Sequence, residues 1–179
     1  MFGGCAAPTE IDYPERNYDQ FTYDARCNVI QTTRGSKPGS GLASIVTTSG
    51  FDSACANPVT CNKPNWTKDA KGNETDYTYG PIHGGVLTVT RPAGPNGVRP
   101  QTRYSYGQIP TYAKNGSGAL VQAGAIWSLT GISTCATASA PTCIGTADEI
   151  KTTISYAGSY NALPTQITKG SGLLCRPRP

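Results

Sequence analysis

The chain has 179 residues, a formal net charge of +4 and 37% hydrophobic residues, with 21 glycines and 14 prolines. Its apolar share lies below the globular norm and its Gly/Pro share above it, so many short strands and turns are expected in place of a thick core. No run of about 18 apolar residues occurs, which excludes a membrane-spanning helix. Its 15 Lys and Arg are too scattered for a nucleic-acid footprint.

Residues 1–17 carry Pro8 and Pro14 and read as an irregular lead-in, with a short strand near Ile11–Tyr13. The opening Met1-Phe-Gly-Gly-Cys5 lacks the basic-then-apolar layout of a signal peptide. Residues 18–169 form the β region. Phe21–Thr33 predicts a first hairpin, and Arg34–Gly41 a flexible loop. Leu42–Phe51 is β-branched and predicts a strand, with Ile45 and Trp66 facing one interior. Val86–Thr90 predicts the next strand, Arg91–Gly97 a turn, Val98–Tyr106 a returning strand and Ile109–Gly118 a loop. Ala119–Thr130 has the Ala and Leu content of a helix, but Gly124 and the alternation Ile126-Trp-Ser-Leu129 favour a strand. Ala147–Tyr156 and Leu163–Thr168 predict a last hairpin, and residues 170–179 a tail. No window combines helical apolar spacing with caps at both ends.

One piece recurs. In Thr67–Gly80, Gly72-Asn73 has the composition of a two-residue hairpin turn, and Asp69 is placed to accept from the turn's backbone N–H groups. Thr75, Tyr77 and Tyr79 then share one face of an extended chain. Tyr23-Asp-Ala-Arg-Cys-Asn28 matches Lys68-Asp-Ala-Lys-Gly-Asn73. The strand Thr75-Asp-Tyr-Thr-Tyr79 returns as Thr102-Arg-Tyr104-Ser-Tyr106 and as Thr152-Thr-Ile-Ser-Tyr156. This is an internal repeat with irregular spacing, and it predicts an all-β fold of irregular antiparallel hairpins, a ribbon or partial shell with long Gly/Pro-rich loops.

The combination resembles the Rhs/YD-repeat family over roughly residues 18–168. The residues that carry the resemblance are Tyr23, Asp24 and Asn28 in one copy and Asp69, Gly72, Asn73, Tyr77 and Tyr79 in the next. Two departures stand out. Cys27 occupies the turn-glycine position, where a left-handed backbone is strained by a Cβ, and the later copies keep the tyrosine strand but lose the Asp-x-x-Gly-Asn turn. The resemblance implies a wall of β-ribbon of the kind that spirals into a hollow shell, often around a C-terminal toxin. The family's autoproteolytic core motif is not found.

Seven cysteines are present. Cys55/Cys61 and Cys135/Cys143 each flank a short Pro-containing loop and predict two local disulfides, hence an oxidising, extracellular or cell-surface setting. Cys5, Cys27 and Cys175 are left over, and an odd count implies a free thiol or an intermolecular bridge. No cysteine pair has zinc-site spacing and His83 is the sole histidine, so no metal or other cofactor is expected. A Ser-His-Asp or Cys-His set would have to be built on His83, in a glycine-flanked loop. No phosphate loop or dinucleotide fingerprint occurs. Asp148-Glu149 reads as a strand entry. The expected function is therefore structural and non-catalytic. Its partners would be other copies or further repeats, joined through open strand edges. The alternative is a glycan-binding surface that uses exposed residues such as Tyr13, Tyr18, Tyr112 or Tyr160.

Overall fold

The computed structural model describes residues 4–139, 142–157 and 162–171. These residues form eleven β-strands, and no helix is present among them. The chain divides into two compact units, residues 1–85 and 86–179.

The first unit holds β1 (Glu10–Asp12), β2 (Tyr18–Tyr23), β3 (Val29–Gly35), β4 (Ile45–Gly50), β5 (Trp66–Lys68) and β6 (Glu74–Tyr79). Each strand pairs antiparallel with the one before it. The second unit holds β7 (Val86–Thr90), β8 (Gln101–Lys114), β9 (Leu120–Cys135), β10 (Glu149–Tyr156) and β11 (Pro164–Ser171), again paired in sequence order and antiparallel. Neither meander closes into a barrel. Strand β1 pairs with β2 alone and β11 with β10 alone among the described residues. The fold is an all-β, antiparallel, irregular hairpin series joined by long loops such as 51–65.

Three local expectations are corrected. Ile109–Lys114 is strand rather than loop: β8 runs on to Lys114 and pairs with β9 from Thr102↔Thr134 to Lys114↔Leu120. Pro110 sits inside it, opposite Ala125. That is tolerable because β8 has no registered partner on its other side beyond Arg103, where its pairing with β7 stops. Ile45 and Trp66 do not share an interior. Ile45 lies opposite Arg34 and is half-exposed, while Trp66 lies opposite Gly50. Finally, the turn before Asn73 is not a two-residue turn. Gly72 has φ 80°, Asn73 has no positive φ, and the loop is a turn followed by a single left-handed residue.

Little apolar side chain is buried. Among the described residues the buried apolar ones are Cys61 in the first unit and Cys143 in the second. Order comes instead from ring-on-glycine pairs across strands. The Tyr18 ring covers Gly35, its register partner, and the Trp66 ring covers Gly50, so closely that a Cβ on either glycine would overlap the ring. Tyr77 and Tyr79, two residues apart on one face of β6, stack with centroids 6.5 Å apart. The Tyr77 hydroxyl lies 3.3 Å from Thr67 Oγ1, and the Tyr79 hydroxyl donates to the Pro64 carbonyl. Pairs of this kind contribute roughly 0.2–1 kcal/mol each.

Candidate functional site: the repeated turn and the clipped loops

The two copies of the turn are equivalent bond for bond. Asp24 Oδ1 accepts from the N–H of Arg26 (2.8 Å) and of Asn28 (2.9 Å), and Asp24 Oδ2 accepts from the Asn28 amide (2.8 Å). Asp69 receives the same three bonds from Lys71, Asn73 and the Asn73 amide at 2.9, 2.9 and 2.8 Å. In both, the fourth residue donates its N–H to the aspartate carbonyl, and the aspartate N–H returns to the asparagine carbonyl. The side-chain bond from the asparagine is the first cause that holds each aspartate below its ordinary carboxyl range, ahead of the backbone donors.

The same geometry recurs where sequence matching did not find it. Asn115 Oδ1 accepts from the N–H of Ser117 and Ala119, with Gly118 at φ 82°. Asp52 accepts from Ala54 and Ala56, with Cys55 at φ 47°. Residues 13–17 and 94–98 reproduce the backbone bonds, with Arg16 at φ 66° and Gly97 at φ 74°. For Asp52 and Asn115 the signal was an Asp or Asn three residues before a left-handed position, hidden at Asp52 because that position is Cys55; the turns that start at Tyr13 and Gly94 carry no such letter. Cys27 is indeed left-handed, φ 65°. Such a backbone costs a Cβ-bearing residue about 1–2 kcal/mol.

Three disulfides staple the described chain: Cys5–Cys27, Cys55–Cys61 and Cys135–Cys143. The first joins two of the three cysteines that sequence spacing left unassigned. Cys175 lies outside the described residues. An arginine clasps each of the two short loops. Arg26, in the first repeat turn, donates to the carbonyls of Asp52 (2.5 Å) and Ser53 (3.0 Å) and to Asn62 Oδ1 (3.2 Å), which ties that turn to the Cys55–Cys61 loop. Arg103, on β8, donates to Ser133 Oγ at 2.6 Å, points Nη2 at Cys143 Sγ (3.6 Å), and lies 3.6 Å from Glu149 Oε1. Glu149 is buried; its carboxylate accepts from the Ser133 hydroxyl and from the Gly145 N–H. Those donors, Ser133 first, hold it below its ordinary value against the cost of burial. At the other end of the chain, buried Asp19 accepts two bonds from Arg34 and one from the Tyr13 hydroxyl.

The later repeat tyrosines sit in ladders. Tyr104 lies opposite Ile132 and Tyr106 opposite Leu129, and the Tyr156 hydroxyl donates to the Leu129 carbonyl. The Tyr23 hydroxyl donates to the Pro8 carbonyl. His83 packs its ring on Gly80 and accepts from the Gly85 N–H through Nδ1. Tyr160, one of the candidate sugar-stacking tyrosines, lies outside the described residues.

As chemistry, the polar groups are arranged to hold backbone. Cys135, Cys143 and Asp148 are the one metal-like grouping among the described residues. Its two sulfurs are bonded to each other, and Asp148 accepts from Thr137 and Ala138. Neither sulfur is therefore a thiolate ligand. No family model and no curated protein matches the chain. The fold and its sites define a disulfide-stapled antiparallel β-hairpin protein.

Proposed function

We propose that this chain is a structural, non-catalytic segment of an extracellular or cell-surface β-repeat protein, of the Rhs/YD type that its sequence resembles, and that it associates with further repeats or copies through open strand edges. The observation that carries the reading is the bond-for-bond identity of the Asp24 and Asp69 turns. A wall that repeats one hairpin must rebuild one turn, and in each of these two copies the aspartate carboxylate is taken up by its own turn. The near absence of buried apolar side chains supports the same reading. A small sheet without a core needs staples or neighbours, and the disulfides are of the kind that persist in oxidising compartments.

Light scattering on the oxidised chain over a range of concentrations tests it. A mass that climbs above 18.7 kDa is the expected result, and a single monomeric mass throughout would refute the association. A second reading, glycan binding, has one observation in its favour. Trp127, 39% exposed, shares a face of the β8–β9 hairpin with Tyr112, because Trp127 lies opposite Gln108 and side chains alternate along β8. Retention on a glycan array that disappears with Trp127→Ala would favour that reading.

A further inference from the structure

The two units carry opposite charge. Residues 1–85 hold nine acidic and seven basic side chains, a formal −2; residues 86–179 hold two acidic and eight basic, a formal +6, and together these give the chain's +4. The terminal strands, β1 and β11, carry the same asymmetry. Strand β1 is Glu10-Ile-Asp12, exposed throughout, with exposed Glu15 just beyond it. Strand β11 and its neighbour β10 carry Lys169 and Lys151, both exposed; the acidic residue among their described residues is buried Glu149 at the start of β10, whose carboxylate already accepts from Ser133 and Gly145. Asp19, behind β1, is already neutralised by Arg34.

From this we infer that the chain assembles head to tail, with β1 of one copy adding antiparallel to the outer edge of β11 of the next. The inference rests on the self-association proposed above and names its edges and polarity. Every strand pair assigned within each unit is antiparallel, so this seating continues the existing pattern. One register sets Glu10 opposite Lys169, Ile11 opposite Thr168 and Asp12 opposite Ile167. Both carboxylates then lie on the face that carries Lys169, since residues two apart on a strand share a face. Opposite charges across a strand pair stabilise it and like charges weaken it. Seating β1 on β1, or β11 on β11, would bring like charge to like charge. The contact is therefore heterologous, and because it joins two different edges it repeats beyond a dimer, into a ring or an open line.

Sedimentation velocity on the full oxidised chain tests this, in low salt and in about 1 M salt, where the Debye length falls to about 3 Å. The expected result is a concentration-dependent series beyond the dimer in low salt, reduced about tenfold or more in association constant in high salt. Glu10→Lys/Asp12→Lys and Lys169→Glu are each expected to abolish the series alone, and mixing the two variants to restore it, because each then supplies an edge of opposite charge to the other's. Circular dichroism reports that the variants keep the β fold. Association that survives both variants, or that stops at a dimer, overturns the head-to-tail edges while leaving self-association standing. A wild-type chain that is monomeric in low salt overturns both.

Discussion

At the scale of single residues, the repeated turn makes two demands: an acceptor in first position and a left-handed backbone in fourth. Asp69 meets the first with a carboxylate held below its ordinary range by Asn73 and the turn's N–H groups. Its ionised form is thus the one that the folded turn favours. That contribution is complete above the unfolded carboxyl value and is lost as pH falls through the lower, folded value. Asn115 builds the same backbone bonds with a neutral oxygen. Asp69→Asn is therefore expected to keep the turn and flatten the acid limb of the melting temperature measured against pH, whereas Asp69→Ala lowers the melting temperature at every pH. The second demand is met poorly by Arg16 at φ 66°. Arg16→Gly removes a strain of about 1–2 kcal/mol and gives back about 0.5–1 kcal/mol in unfolded-chain entropy. A net gain of about 0.5–1 kcal/mol should appear in urea unfolding.

At the scale of elements, rings laid over glycines do the work that interior aliphatics do elsewhere. In the β4–β5 pair a Cβ on Gly50 would stand 2.2 Å from the Trp66 ring. Gly50→Ala must push the indole away from its seat and from Lys68, whose Nζ lies 5.1 Å from the ring centre. A loss of about 1–3 kcal/mol is expected, together with a change in Trp66 fluorescence. Most elements were legible from alternation and turn chemistry. The Thr75–Tyr79 face could be read directly, and β9 could be read because β-branched residues and Gly124 outweighed its alanines. The distal half of β8 could not, since Gly107 and Pro110 punctuate it as a loop would; only its place beside β9, with no further registered partner, allows a proline there. The candidate site was half legible. Asp24 and Asp69 announce themselves through Gly or Asn neighbours, but Asp52 and Asn115 build the same turn without the matching letters. The Cys5–Cys27 pairing was out of reach, because three leftover cysteines allow several partners and only the fold brings residues 5 and 27 together.

At the scale of the molecule, three cross-links stand in for a core. Closing loops of 6, 8 and 22 residues contributes about 2–3.5 kcal/mol each by chain entropy, comparable in sum with the whole stability of an ordinary domain. Full reduction is therefore expected to unfold the chain at 37 °C, seen as loss of the β signal in circular dichroism, with recovery on reoxidation. A reduced chain that kept its β spectrum and melted within a few degrees of the oxidised form would show that ladders and ring–glycine pairs suffice alone.

The seating of aromatic rings on bare backbone has a consequence for how this sequence can drift over time. In most domains the aliphatic interior resists exchange while glycines between strands are forgiving. Here Leu42, Ile82 and Ile167 are 72%, 73% and 66% exposed, whereas Gly35 and Gly50 have no room for one extra carbon. A saturation library selected for folding should come out inverted, permissive at its large aliphatics and closed at its smallest residues.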